Sequence, residues 1–106
     1  MIDQMKTKKT LLIIACFMLP VPLLPGCISY NGDSLFQKEG CSQCHTYNGR
    51  GGRMGPDLTA ISNIRSDAWI NGYIQDPQKM NPSSRMPAFP HLSRAKRKAI
   101  IAFLND

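Results

Sequence analysis

Hydrophobic residues recur at helical spacing in the second half of the chain. Residues 68–75 contain two apolar pairs spaced four positions apart, Trp69 with Tyr73 and Ile70 with Ile74. Side chains with this spacing lie on one face of a helix, so a helix is predicted over this segment. Ser66 or Asp67 is the expected N-cap, and Pro77 is expected to end the helix.

A second helical pattern closes the chain. Ser93 is a good N-cap residue, and the segment that follows it to residue 104 carries a stripe of apolar side chains. These side chains are Ile100, Ile101, Phe103 and Leu104, with Ala95 and Ala99 as small contact points. The pattern predicts a C-terminal helix that packs this stripe against the rest of the domain.

A third, shorter helix is expected earlier in the chain. Asp33 or Ser34 would cap it, and it would run through Leu35 and Phe36. Gly40 within this helix lowers the helix propensity, which indicates a close packing contact at that position.

Two other segments have the composition of loops. Residues 46–56 are rich in glycine and residues 77–92 are rich in proline. No segment shows the alternating pattern that predicts a strand, and no internal repeat is found. The sequence therefore predicts a small all-α domain of three to four helices over residues 34–106.

The N-terminal segment has the anatomy of a signal peptide. Lys6, Lys8 and Lys9 precede an uncharged, mostly apolar run that extends to Pro25. The run is short against the roughly 17–25 residues that span a bilayer, and its prolines would break a helix. Residues 1–26 are therefore predicted to be removed, and residues 27–33 to form a tether before the domain.

Cys27 is the expected first residue of the mature protein. The run from Leu24 to Cys27 resembles a bacterial lipobox, although Pro25 departs from the usual small or aliphatic residue. A second such run ends at Cys16, but it would leave an unusually short apolar region. We expect lipid on Cys27 to hold the domain outside the cytoplasm, on the periplasmic side or outer face of the plasma membrane. The alternative is an ordinary signal peptide that leaves Cys27 as a free thiol.

The run from Cys41 to His45 reads C-x-x-C-H, the pattern for covalent attachment of c-type haem. Thiols three positions apart on one helical turn can both reach the vinyl groups of a porphyrin, and His45 then lies under the iron as its proximal ligand. No thiol is left over if Cys16 leaves with the signal peptide and Cys27 takes lipid. A domain this short gains much of its apolar core from one covalent haem, so the chain without haem is expected to be largely unfolded.

The chain is basic, with a formal net charge of +6 over 106 residues. Nucleic acid is not an expected partner, because export and a covalent haem place the domain outside the cytoplasm. A basic cluster begins the last helix: Arg94, Lys96, Arg97 and Lys98. It is interpreted as a solvated face, with steering toward an acidic redox partner or anionic lipid as the functional alternative.

The second axial ligand decides the function of such a haem. The sequence offers four candidates, all of which follow His45: Met54, Met80, Met86 and His91. Met86 is favoured because it lies in a proline-containing loop that can hold a thioether ligand. If His91 were the second ligand, the haem would have two histidine ligands. If Met86 is not a ligand, its alternative role is to fill the core.

The mature segment resembles the class I cytochromes c of bacteria, and in particular the small cytochrome domain that is fused to respiratory-complex subunits. The matching residues are Phe36, Gly40, the C-x-x-C-H motif, Gly55-Pro56-Asp57-Leu58-Thr59, Trp69, Asp76-Pro77, Met86-Pro87, Phe89, Leu92-Ser93 and Phe103-Leu104. This resemblance implies a small cytochrome c fold, with loops wrapped around a single haem.

The resemblance also implies roles for individual residues. His45 and Met86 would be the axial ligands, and the Pro56 carbonyl would accept a hydrogen bond from His45 Nδ1. Gly40 and Phe36 would meet Phe103 where the first and last helices cross. Trp69, with Arg53 or Arg65, would bind a haem propionate, and core packing is the alternative role of Trp69.

The expected function is that of a monomeric one-electron carrier with redox protein partners, a donor and an acceptor, in a respiratory chain. No substrate bond is made or broken, so the chain is not expected to be an enzyme. Two alternatives stay open: an open haem that acts as a peroxidase or gas sensor, and a permanent haem subunit of a larger oxidase or dehydrogenase.

Overall fold

The computed structural model describes Gly26 and residues 28–106. The rest of the predicted signal peptide, together with Cys16 and Cys27, lies outside these described residues. Within them, none of the helices is long and apolar enough to cross a bilayer.

Helices dominate the described part of the chain. The α-helices are α1 Gly32–Lys38, α2 Cys41–Cys44, α3 Asp67–Gln75, α4 Pro77–Met80 and α5 Arg94–Leu104, with a 3-10 helix at Ile61–Asn63. The all-α prediction is confirmed. The count in the described residues exceeds the predicted three to four because α2 and α4 are single turns of four residues each.

A small hairpin also forms where no strand was predicted. β1 (Thr46–Tyr47) pairs antiparallel with β2 (Arg50–Gly51). The connecting Asn48 and Gly49 both have positive φ, 49° and 76°. Asn-Gly is the residue pair that a tight hairpin turn favours, so the sequence did carry this information.

The two longest helices begin as predicted. Ser66 caps α3 by accepting a hydrogen bond from the Trp69 amide at 3.2 Å. Ser93 caps α5 in the same way, with the Lys96 amide at 3.3 Å. Each cap satisfies an amide that would otherwise have no partner inside its helix.

The predicted caps of α1 were wrong. The cap is Asn31, whose side chain accepts from the Ser34 amide at 2.8 Å. Asp33 instead lies in the first turn, where its negative charge favours the positive end of the helix dipole. The helix therefore begins at Gly32 and takes up the last two residues of the predicted tether, 27–33.

The crossing of α1 and α5 depends on a glycine other than the one predicted. Gly32 lies directly against α5, where an added Cβ would meet the Ala99 carbonyl and would lie 2.7 Å from Phe103 Cβ. Gly32 shares a helix face with Phe36, whose ring centroid is 5.5 Å from that of Phe103. Gly40 follows α1 with φ of 81°, so its role is a turn and not the crossing.

The core lies between α1, α3, α5 and the β1 hairpin. Its buried hydrophobic residues are Leu35, Phe36, Tyr47, Ile70, Ile74, Leu92, Ile100, Ile101 and Leu104. The Tyr47 hydroxyl donates to the Phe103 carbonyl at 2.9 Å and so fixes the hairpin to α5. Arg97 is buried and donates to Asn71 on α3 at 2.9 Å. The interpretation of Arg97 as part of a solvated basic face was therefore wrong.

Candidate cofactor site

An apolar cleft of about 570 Å³ opens beside the core. Its size falls within the roughly 300–1,000 Å³ that is usual for cofactor sites. The side chains in its lining that can bond to a haem or its iron are Cys41, Cys44, His45, Met54 and Met86. The other lining residues are mostly aliphatic and aromatic, so the cleft suits a large, flat, apolar group.

The helix α2 brings both cysteines to this cleft. Gly40, in the left-handed region, turns the chain so that a new helical turn starts at Cys41. Cys41 and Cys44 then begin and end the same turn, and both are half-buried in the cleft wall. The predicted arrangement of two thiols on one helical turn is confirmed.

The glycine-rich loop closes around the end of α2. Amides of this loop donate to the helix: Gly52 to the Ser42 carbonyl at 2.8 Å, and Gly55 to the Cys44 carbonyl at 2.7 Å. These bonds satisfy carbonyls that the end of a helix leaves without partners. An added Cβ at Gly52 would run into the Gln43 carbonyl, so only glycine allows this approach.

His45 is buried and its ring is fixed in one orientation. Its Nδ1 lies 2.8 Å from the Pro56 carbonyl oxygen, which is the predicted hydrogen bond. A carbonyl can only accept, so Nδ1 carries a proton, and in the neutral ring Nε2 then has the lone pair. The ring is therefore in the tautomer that a metal ligand requires, with the second hydrogen bond that metal-bound histidines usually make.

The turn after Pro56 is held by its own side chains. The Thr59 hydroxyl and amide both donate to Asp57 Oδ1, the amide at 2.8 Å. The hydrogen bond from the Thr59 hydroxyl, followed by that from the amide, lowers the pKa of Asp57 below its ordinary value. The ionised carboxylate thus stabilises the turn that presents the Pro56 carbonyl to His45.

The apolar character of the cleft also acts on Cys41. Burial raises the pKa of the Cys41 thiol to about 11, because the charged thiolate is poorly solvated there. A neutral thiol, or a thioether, suits this position. The cleft wall at Cys41 therefore favours an uncharged sulfur over a reactive thiolate.

Met86 is the candidate second ligand that the structure keeps inside the cleft. It is half-buried, lines the same cleft as His45 and packs against the core. Its loop is tied by three side chains that sequence reasoning missed: Tyr73, Gln78 and Ser84. The ties from Tyr73 and Gln78 join the loop to helices that meet it only in the folded chain, whereas the bond from the Met86 amide to Ser84 is local to the loop.

The three other candidates lie in less suitable places. Met54 is at the rim of the cleft with 89% of its surface exposed. Met80 packs on Gly72, outside the cleft lining. His91 is exposed, and its Nε2 lies 2.9 Å from Glu39 Oε2.

The residues predicted for a propionate are only partly brought together. Trp69 lines the cleft and stacks on Tyr73, with ring centroids 4.7 Å apart. The Arg65 guanidinium lies over the Trp69 ring at 4.3 Å, outside the cleft lining. Arg53 lines a separate polar cavity. Arg85, which sequence reasoning did not assign to a propionate, lies in the cleft wall beside Met86.

A single helical turn with two cysteines, a buried histidine in the metal-binding tautomer and an apolar cleft define a haem-binding domain of the c type. The family model Cytochrome c matches residues 29–106, and the chain belongs to the cytochrome c family. Its cofactor is covalently bound haem c, and Cys41 and Cys44 lie in the attachment motif. Electron transfer through this haem is the activity of the family.

A comparison with characterised proteins finds a longer relative. Cytochrome c oxidase subunit 2 of Alkalihalophilus pseudofirmus is 28% identical over 87 residues. The similarity covers 74% of this chain and 25% of the relative, so the chain matches about a quarter of that protein.

Proposed function

We propose that this protein is a one-electron carrier whose haem iron is bound by His45 and Met86. The proposal rests on one observation. The His45 ring, which the Pro56 carbonyl fixes, and the half-buried Met86 thioether line one apolar cleft together with the two attachment cysteines. When bound, the haem supplies an iron that gains or loses one electron at a time, and a His–Met ligand pair raises its potential.

The chain's own groups keep the two ligands in place. The Pro56 carbonyl fixes the His45 ring, and the tied loop holds Met86 in the cleft wall. The surrounding apolar side chains would shield the face of a bound haem from water. Because both ligands are held before electron transfer, little of the site has to move when the charge changes, and no substrate bond is made or broken. The protein would therefore act as a carrier and not as an enzyme.

Replacing Met86 by alanine is expected to remove the second ligand without unfolding the domain. The oxidised protein should show a weak far-red charge-transfer band that disappears in Met86→Ala. Visible spectra of the two purified proteins measure this. Met54→Ala is the matched control, because Met54 is at the rim of the same cleft and 89% exposed. Loss of the band in Met54→Ala, or its retention in Met86→Ala, would contradict the assignment.

We further propose that lipid on Cys27 anchors the domain to the outer face of the membrane. The supporting feature is the lipobox-like run that ends at Cys27, after an apolar segment with a basic start. Acyl chains contribute about 0.8 kcal/mol per buried methylene, so two or more chains hold a small domain firmly.

Cys27→Ser is expected to move the protein from the membrane fraction to the soluble fraction. The physical reason is loss of the acyl chains, and fractionation followed by detection of covalent haem measures it. Cys16→Ser is the matched control and should stay with the membrane. The anchor would have to be assigned elsewhere if Cys27→Ser also remained membrane-bound.

The donor and acceptor are proposed to be proteins of a respiratory chain. The support is the similarity to a relative named as an oxidase subunit, together with the exposed basic groups of residues 27–106. Arg94 and Lys98 are exposed at the start of α5, and Lys96 lies 5.6 Å over the Tyr30 ring. Exposed basic groups of this kind steer a carrier toward an acidic surface on its partner.

A further inference from the structure

Helix α4 places one amide side chain against the loop that carries Met86. Pro77 occupies the first turn of α4, and Asp76 caps it by accepting from the Lys79 amide at 3.2 Å. Gln78 follows Pro77, and its Nε2 lies 3.0 Å from the Ser84 carbonyl and 2.9 Å from the Met86 carbonyl. One amide group thus donates to two carbonyls of the same loop.

The loop is also held from the cleft side. The Tyr73 hydroxyl donates to Ser84 Oγ at 2.9 Å, and this oxygen accepts from the Met86 amide at 3.3 Å. Residues 84–86 are therefore bonded to α3 through Tyr73 and to α4 through Gln78. These hydrogen bonds join Ser84 and Met86, the two ends of the segment, to the helices. Pro87 stiffens the backbone that follows.

We propose that Gln78 is a positioning residue that holds the Met86 thioether in the cleft. The inference rests on the proposed function, since it matters only if Met86 binds the iron. Without the two bonds from Gln78, the Met86 backbone keeps only the tie through Ser84. The loop then spends a larger fraction of time with Met86 withdrawn, although the domain remains folded.

Exogenous imidazole measures that fraction, because it binds the iron only when Met86 has left. The apparent affinity for such a competitor rises with the population of the open state. When a metal ligand loses a hydrogen-bond partner, the affinity for the metal commonly changes by about tenfold to a hundredfold. We expect Gln78→Ala and Gln78→Glu each to bind imidazole about tenfold more tightly than the parent. The carboxylate of Gln78→Glu, ionised at neutral pH, offers no donor to the two carbonyls.

Gln75→Glu is the matched control, because Gln75 is exposed at the end of α3 and the same charge change occurs there. Its imidazole affinity should equal that of the parent. Gln78 is itself exposed on a helix, and alanine favours helix, so Gln78→Ala should fold.

The outcomes separate this inference from the proposed function. A parent with the far-red band and Gln78 variants with unchanged imidazole affinity would overturn the role of Gln78 alone. A parent without the far-red band would overturn Met86 ligation and this inference together. Tighter binding in both Gln78 variants, with Gln75→Glu unchanged, is the result that supports the inference.

Discussion

Gly55→Ala is expected to lower the free energy of unfolding of the holoprotein by about 3 kcal/mol, at the upper end of the usual cost of overpacking. An added Cβ would lie 2.5 Å from Cε1 and 2.8 Å from Nδ1 of His45. Neither side can yield easily. The Gly55 amide is bonded to the Cys44 carbonyl, and the next carbonyl, of Pro56, accepts from the same histidine ring. Denaturation in guanidinium chloride, followed by the haem absorbance, measures the loss.

Gly49→Ala is the control that separates this clash from backbone strain. Gly49 has a positive φ of 76°, which Gly55 does not, but an added Cβ at Gly49 would meet nothing within 4 Å. The cost of a left-handed alanine alone is roughly 1–2 kcal/mol. If Gly55→Ala destabilised the protein no more than Gly49→Ala does, the close packing of residue 55 on the histidine ring would have no energetic role.

The double variant Cys41→Ser/Cys44→Ser lacks both attachment thiols. When it is made without haem, we expect the chain to be largely unfolded. The cleft of about 570 Å³ borders the core residues Phe36, Ile70 and Ile100, which lose their apolar neighbour. Small domains have only about 5–15 kcal/mol of net stability, so a domain this short is not expected to stay folded without the apolar surface that its haem supplies. Far-ultraviolet circular dichroism with a urea titration would show low helix content and no cooperative transition.

Gln43→Ser is the matched control for this double variant. Gln43 is exposed on the same helical turn, and the change leaves C-x-x-C-H intact. We expect it to yield folded holoprotein with the parent's spectrum. A cooperative, helical apoprotein from the double serine variant would mean that the haem is not part of the core.

The sequence was sufficient where a single local pattern determines the structure. Ser66 and Ser93 are followed by long apolar stripes, so the starts of α3 and α5 could be predicted. The C-x-x-C-H motif was recognised from its spacing, whereas the His45–Pro56 bond was expected from the resemblance to class I cytochromes c. Only the motif is local in sequence, because the bond joins residues eleven positions apart.

Local patterns were insufficient where several residues could serve the same purpose. Asn31, Asp33 and Ser34 are all good N-caps within four positions, and the structure uses the first, which directly precedes the Gly32 that lies against α5. The same packing makes Gly32, and not Gly40, the glycine of the helix crossing. Propensity alone does not rank such neighbours, because the deciding contacts come from the other end of the chain.

The ties on the Met86 loop are beyond sequence reasoning for a different reason. Gln78 is an exposed residue in a four-residue helix, and nothing in its neighbours marks it as functional. Its two hydrogen bonds form because a turn, closed by the bond from the Ser84 amide to the Asn81 carbonyl, brings the Met86 loop next to α4. The sequence already favoured Met86 as the second ligand, and burial in the structure separates it further from Met54 and His91.

The central claim is that His45 and Met86 occupy both axial positions of the haem. Its most direct test is to expose the reduced protein to carbon monoxide at neutral pH. Carbon monoxide binds ferrous haem only at an open axial position. We predict that the parent spectrum does not change, whereas reduced Met86→Ala binds the gas and shows that the reagent is active. A parent that binds carbon monoxide readily would contradict the account and indicate an open haem, as in a gas sensor or peroxidase.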